Sequence, residues 1–320
     1  NIEKITISQE MELQPSYLYT RIENLLKMLT IVIPTYNRLD FLIKAYESVL
    51  QQDSNEYILY ILDDSTNLKT YNFFQNLKLN NNVFYIKNIN NLGIVRNISN
   101  SFSMAKTKWV TMMSDDDIME PNFVSESLKI LRSTKRALVI SSFRDIDKDG
   151  VTTSEYIHKP VSINNIDAFI SLFYDRFPTA GGSGFFLNTR MCKDILYFKE
   201  YPRALLSDTY LCLSAAEIGG LETIDKILYS RRRWDGSLSS IGKSPVDKMK
   251  SLYYAFSAHR MFSNDLLNMW TQLMKCNNSN VKLIEVKHDV DKYCRSNPFF
   301  ESLKFKLVKF FRAMGFFNSI

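Results

Sequence analysis

Three consecutive aspartates, Asp115, Asp116 and Asp117, follow the apolar run Trp109 to Met113 after a single serine, Ser114. Carboxylates this close repel one another, so an ionised triplet on one turn needs compensation. A hard divalent cation supplies it. Mg2+ and Mn2+ prefer carboxylate oxygens and are typically held by one or two of them together with phosphate oxygens of a substrate. Asp115 and Asp117 are two residues apart, so in an extended turn they can face the same way with Asp116 opposite. A solvated acidic turn ahead of the helix that opens near Pro121 is the alternative reading of the triplet. A second acidic pair, Asp63-Asp64, closes another apolar run, Tyr57 to Leu62.

The elements that carry these aspartates alternate regularly. Thr30 to Ile33 is a short apolar run suited to a strand buried on both faces, and Pro34 ends it. Asp40 suits an N-cap, and Phe41, Leu42, Ala45, Tyr46, Val49 and Leu50 then recur at helical spacing. Strands are expected at Tyr57 to Leu62, Val83 to Ile86, Trp109 to Met113 and Ala137 to Phe143, with helices from Ile94 and from Pro121 between them. This alternation predicts an α/β fold with a mostly parallel, doubly wound sheet. Right-handed crossovers would bring every strand's C-terminal end, and both acidic clusters, to one edge, where ligands bind in such sheets. Beyond Gly150 the pattern loosens into a Gly-rich loop from Ala180 to Gly184, a helix near Leu206 to Ile218 and a strand near Ile224 to Tyr229. From Val246 long helical patterns dominate.

Composition narrows the function classes. The chain has 320 residues and a formal charge of +6, but its 40 basic side chains are interleaved with 34 acidic ones. That balance suits phosphate-bearing ligands or an anionic membrane surface, and without long basic runs nucleic acid is not an expected partner. The four cysteines are far apart with no C-x-x-C pair, which fits a reducing cytoplasm better than a disulfide scaffold. Three scattered histidines leave little for a His-centred metal site. No run approaches the ~20 apolar residues of a membrane span, and no secretory signal is legible.

Leu29-Thr30-Ile31-Val32-Ile33-Pro34-Thr35-Tyr36-Asn37-Arg38 resembles the opening strand and turn of family 2 glycosyltransferases, inverting enzymes of the GT-A fold. Further blocks follow in that family's order: Ile61-Leu62-Asp63-Asp64-Ser65-Thr66, Asn91-Leu92-Gly93 with Arg96-Asn97, Ser114-Asp115-Asp116-Asp117 with Pro121, and Ser207-Asp208 ahead of Gly219. The similarity is close from Met28 to about Val124, looser to about Ser240, and lapses beyond.

The resemblance implies roles. Pro34, Tyr36 and Arg38 would belong to the first turn, which holds the donor. Asp64 would accept a hydrogen bond from the base, which suits the imide N–H of uracil or thymine. Arg96 would approach the diphosphate. Asp115 and Asp116 would contact the donor, and Asp116 and Asp117 would hold Mn2+ or Mg2+ against the diphosphate. Asp208 matches the general base at the start of a helix, although Ser207 replaces the more usual Glu. Read from the residues alone, Asp208 equally suits a first-turn acid stabilised by the helix dipole. Arg231 to Trp234 resemble a late Arg-x-His segment, so Arg232, Arg233 and Trp234, with Gly182 and Ser183 of the Gly-rich loop, are candidates for diphosphate or acceptor contact.

The expected organisation is therefore an N-terminal extension at 1–27, a nucleotide-sugar-binding part at 28–145, an acceptor-binding and catalytic part at 146–240, and a helical region at 241–320. The expected reaction moves one sugar from a nucleotide-sugar donor to a glycan or lipid-linked glycan, as in polysaccharide or lipopolysaccharide synthesis. Two alternatives stay open. A sugar nucleotidyltransferase would usually show Gly after the first strand, and a catalytically silent binding subunit could dispense with Asp208. Within 301–317, Leu303, Leu307, Phe310, Phe311 and Met314 share one helical face beside Lys304 and Lys306. That pattern suits peripheral contact with the inner face of the cytoplasmic membrane, or packing on the catalytic domain.

Overall fold

The apolar runs fold as β1 (Leu29–Thr35), β2 (Tyr57–Asp63), β3 (Val83–Lys87) and β4 (Trp109–Met112). The computed structural model describes residues 27–165, 168, 172, 182–237 and 244–276. Of the expected extension at 1–27 only residue 27 is described, and the amphipathic segment at 301–317 lies outside the described residues. Six further strands join the same sheet: β5 (Ile118–Met119), β6 (Leu138–Ile146), β7 (Thr152–Tyr156), β8 (Ser162–Ile163), β9 (Phe185–Asn188) and β10 (Leu221–Arg232). Their order is β3-β2-β1-β4-β9-β6-β10-β5, with β7 paired to β6 and β8 to β10.

Helices cover both faces, as a doubly wound sheet requires. Alternation along β1 explains how. Leu29, Ile31 and Ile33 face one cluster, which contains Leu42, Ala45 and Val49 of α1 (Leu39–Leu50), Phe74 of α2 (Lys69–Gln75), and Phe123, Val124 and Leu128 of α4 (Phe123–Leu131). Val32 faces the other, with Ile98 and Phe102 of α3 (Ile94–Ser103), Leu211 to Leu213 of α5 (Ser207–Gly219), and Ala258, Phe262 and Leu266 of α6 (Pro245–Cys276). Each buried Leu, Ile or Phe contributes about 2 kcal/mol, so both faces hold the sheet. The central strands accordingly read as unbroken apolar runs rather than alternating ones.

Two details differ from the sequence reading. Helix α1 begins at Leu39, so Asp40 lies in its first turn and complements the helix dipole instead of capping it. The pairs β1–β2, β1–β4, β2–β3 and β6–β10 are parallel, but β9 runs antiparallel to both β4 and β6. The start of β9, not its end, therefore reaches the edge where the acidic turns emerge. The chain enters β9 through Gly184, which has φ +77. A Cβ there would lie 1.7 Å from a ring carbon of Tyr229, a fully buried side chain of β10. Gly184→Ala combines backbone strain with a clash in a packed core, and should cost at least ~2 kcal/mol of stability. Urea unfolding reads this directly, and an unchanged midpoint would refute the close packing of Gly184 on Tyr229.

Candidate active site

A cleft of about 590 Å³ opens where β1, β2, β4 and β10 end and α3 and α5 begin. Pro34, Tyr36, Arg38, Asp64, Asp115, Asp116, Asp117, Gly182, Asp208, Arg232 and Arg233 all line it. Local chemistry shapes its floor. Asn37 takes a left-handed conformation, φ 54, which short polar side chains tolerate. Its backbone N–H donates to Ser65 Oγ at 2.8 Å, and its Oδ1 accepts from Thr66 N at 3.1 Å and Asn67 N at 3.3 Å. The turns after β1 and β2 are thereby stapled together.

Asp64 is buried, and both its oxygens are fully engaged. Oδ1 accepts from Asn88 Nδ2 at 2.9 Å and Leu92 N at 2.8 Å; Oδ2 accepts from Asn91 Nδ2 and Gly93 N, each at 2.9 Å. Four donors fill a carboxylate's lone-pair sites. Asp64 therefore orders the loop 88–93 that leads into α3.

The aspartate triplet does not pair its first and third members. Asp115 Oδ1 and Asp116 Oδ2 both lie 3.2 Å from Arg38 Nη1. Asp115 Oδ2 accepts from Thr35 Oγ1 at 2.8 Å, and Asp116 Oδ2 from Trp234 Nε1 at 2.8 Å. Asp117 turns elsewhere: Oδ2 accepts from Ser183 Oγ at 2.6 Å and Oδ1 from the Arg232 backbone N–H at 2.8 Å. The extended-turn expectation fails because Arg38 draws the first two carboxylates together and β10 claims the third. Burial, and then repulsion from Asp116, push the Asp117 carboxyl up to about 7. Burial raises Asp115 to about 6, with Arg38 acting against it.

Among the described residues no group of three His, Cys, Asp or Glu side chains could hold a metal ion by itself. The triplet nonetheless fits a hard cation shared with a substrate phosphate. Its donors are oxygens, and among the described residues Asp117 accepts from the neutral Ser183 hydroxyl and the Arg232 backbone N–H rather than from a cationic side chain. The Asp115 and Asp117 carboxyls hold protons more tightly folded than at the 3.8 of an ordinary Asp. In chelator, stability should therefore fall as pH rises through the range from about 4 to about 7 and then level off. Thermal unfolding at pH 5 and pH 8 tests this, with Mn2+ expected to raise the midpoint more at pH 8. Midpoints independent of both pH and Mn2+ would contradict it.

Asp208 sits in the first turn of α5, where its Oδ1 accepts from Thr209 N at 2.8 Å. Its carboxyl lines the cleft and is half-buried there, and desolvation raises its pKa. A raised carboxylate is a better proton acceptor near neutral pH.

The arginine run divides its work. Arg231 is bidentate to the buried Asp145, with Nε and Nη2 at 2.7 and 3.0 Å, and its guanidinium stands 4.8 Å from the Phe143 ring centre. Arg232 is buried and donates to the backbone carbonyls of Asp116, Asp147 and Lys148 at 2.9–3.0 Å. It fastens the acidic turn to β10, so its side chain is occupied structurally. Arg233 is half exposed, reaches Asp145 at 3.4 Å and lines the cleft. Trp234 packs 4.6 Å from the Phe41 ring while holding Asp116. Ser183 is buried and bridges Ser114 N and Asp117, and a Cβ on Gly182 would press on Met112 and Ser114. Packing thus explains both residues of that loop.

Arg96 is not brought to the cleft. Its side chain is 72% exposed and pairs with Glu200 at 3.6 Å, because the inward face of α3 belongs to Asn97 and Ile98. Sequence reasoning missed Asp145, whose signal was an acid just beyond the expected end of a strand at Phe143, and Asn88, whose role depends on the distant Asp64.

An α/β sheet with a carboxylate-rich cleft at its strand ends is the arrangement in which open sheets of this class bind ligands. The Glycosyl transferase family 2 model matches residues 30–196, and the chain belongs to that family. It is 22% identical over 142 residues to a protein of Bacillus subtilis (strain 168) named as a teichuronic acid biosynthesis glycosyltransferase, TuaG, covering 44% of this chain and 56% of the relative. It is 28% identical over 137 residues to a protein of Escherichia coli (strain K12) named as a colanic acid biosynthesis glycosyl transferase, WcaA, covering 42% and 47%. The match thus spans about half the length of these curated relatives. Among solved structures, S. aureus TarS 1-349 in complex with UDP-GlcNAc has a TM-score of 0.57 at 16% identity, covering 87% of this chain and 73% of that one. The same protein in complex with UDP has a TM-score of 0.56 at 14% identity, covering 85% and 72%. These neighbours share the fold, a mixed sheet of the GT-A type. Among the described residues no helix is long and apolar enough to cross a membrane.

Proposed function

We propose that this chain transfers a single sugar from a nucleoside-diphosphate sugar, UDP- or dTDP-linked, to a hydroxyl of a glycan or lipid-linked glycan, with inversion and with Mn2+ or Mg2+. The observation that carries this reading is one cleft lined by both the acidic turn and Asp208. Residues 28–145 would then serve the donor and 146–240 the acceptor and chemistry, with the work done at the cytoplasmic side of the membrane. The relatives' names support polysaccharide biosynthesis as the setting, and a fold neighbour's UDP-GlcNAc complex supports a UDP-linked donor.

In this reading Tyr36, 49% exposed at the cleft, offers its ring to the base. Asp64 acts through the Asn91 to Gly93 loop it orders. Asp115 and Asp116, steadied by Arg38, receive the ribose side of the donor. Asp116 and Asp117 would hold the cation, which when bound offsets negative charge on the diphosphate. Arg233 adds a positive charge at the same end. Asp208 accepts the proton of the acceptor hydroxyl as its oxygen attacks the anomeric carbon. The bond from that carbon to the diphosphate oxygen breaks, and the nucleoside diphosphate leaves with the electron pair.

Incubation with Mn2+ and a panel of nucleotide sugars tests the proposal. Release of nucleoside diphosphate supports it. Pyrophosphate exchange would point to a nucleotidyltransferase instead, and tight binding without release to a silent subunit.

A further inference from the structure

One wall of the cleft is built by residues 198–206, of which Phe198, Ala204, Leu205 and Leu206 line it next to Asp208. This segment follows an unusual path. Arg203, Ala204 and Leu206 have φ of 57, 55 and 67, a left-handed conformation that non-glycine residues avoid. Such strain persists only where the surroundings over-determine it, and it concentrates at functional sites.

The surroundings here are supplied by α6. Tyr201 is buried, edge-on to Tyr210 and Phe262, and its hydroxyl donates to Asp265 Oδ2 at 2.5 Å. Lys199 Nζ lies 3.6 Å from Asp265 Oδ1 and 4.8 Å from the centre of the Tyr210 ring. Arg203 Nη1 donates to Ser251 Oγ, also on α6, at 3.2 Å. The grip continues into the catalytic helix, because Ser207 Oγ donates to the Lys199 carbonyl at 2.8 Å. On the other side Phe198 N donates to Ser99 Oγ of α3 at 3.0 Å. Asp265 is thus the point at which two residues of the wall segment are tied to α6.

We propose that Asp265 is a positioning residue for transfer. Through Tyr201 and Lys199 it holds Arg203, Ala204 and Leu206 in their left-handed conformations, so that α5 opens at Ser207 with Asp208 turned into the cleft. Helix α6 is then part of the catalytic apparatus. Without Asp265 the buried Tyr201 hydroxyl loses its acceptor and Lys199 its counter-charge. The segment relaxes toward ordinary φ values and Asp208 moves with it. Small displacements of a catalytic group are expensive, with about 1 Å costing up to ~10²-fold in rate. The inference rests on Asp208 being the base.

Asp265→Ala, Asp265→Glu and Tyr201→Phe in the full chain test it with two measurements. In Asp265→Ala, amide exchange across 199–207 should rise at least about ten-fold while α3 keeps its protection. Turnover, read as nucleoside diphosphate release from the UDP-sugar used fastest by the wild type, should fall about 10- to 100-fold with the Kd for UDP unchanged. Asp265→Glu should restore much of both, and Tyr201→Phe, which removes one oxygen, should show a smaller effect in the same direction. Unchanged exchange would overturn the clamp. Faster exchange with unchanged turnover, or UDP affinity lost in step with turnover, would overturn the positioning role. Asp208→Asn measured alongside separates the two claims: normal turnover there removes the base assignment, while the exchange result still decides the clamp.

Discussion

Asp208→Asn is expected to lower turnover by ~10²–10⁴-fold while changing the Kd for UDP by less than about two-fold. The separation follows from where Asp208 stands. It lies at the head of α5, bonded locally to Thr209 N, and is not part of the Arg38, Trp234 and Ser183 network that holds the acidic turn. Asn keeps the shape and retains an oxygen for the Thr209 bond, so α5 should stay in place. The pH profile provides a second reading. Burial raises the Asp208 carboxyl, and a base works only once deprotonated, so wild-type turnover at saturating donor should rise with pH through that raised value. The mutant should lack this limb. Near wild-type turnover would return Asp208 to a structural role in the first turn of its helix.

Asp117→Asn should remove most of the Mn2+-dependent gain in UDP affinity, at least about ten-fold, as read by calorimetry with and without the metal. Asn loses the charge but keeps one oxygen for the Ser183 hydroxyl or the Arg232 N–H. Asp115→Asn should behave differently. Asp115 is tied to Thr35 and Arg38, so its loss is expected to weaken UDP in the presence and absence of Mn2+ by similar factors. Equal Mn2+ dependence in Asp117→Asn and the wild type would rule out a cation site at Asp116 and Asp117.

The sheet was legible because its central strands are buried on both faces and therefore appear as short apolar runs, although β1 continues through Pro34, its expected end, to Thr35. The acidic turns were legible too, since charged residues rarely follow such runs without a purpose. What could not be read was the partner of each charge. That Arg232 spends its guanidinium on carbonyls of Asp116, Asp147 and Lys148, while Arg231 and Arg233 turn to Asp145, follows from alternation along the end of β10 paired with β6. A run of three arginines carries no mark of that division. Arg96 shows the reverse error. Its motif neighbours Gly93 and Asn97 do reach the cleft, but helical phase turns Arg96 outward to Glu200. The antiparallel β9 was hidden for another reason. A four-residue apolar strand has no direction in sequence, and only its pairing with both β4 and β6 reveals one.

Inversion at the anomeric carbon, driven by a single carboxylate base, is the central claim, and proton NMR of the first-formed product tests it most directly. With Mn2+ and an α-linked UDP-sugar, the sugar transferred to the acceptor, or to water in its absence, should appear first as the β anomer together with free UDP. An α product at early times would contradict inversion, and with it the role of Asp208 as the base of an in-line displacement.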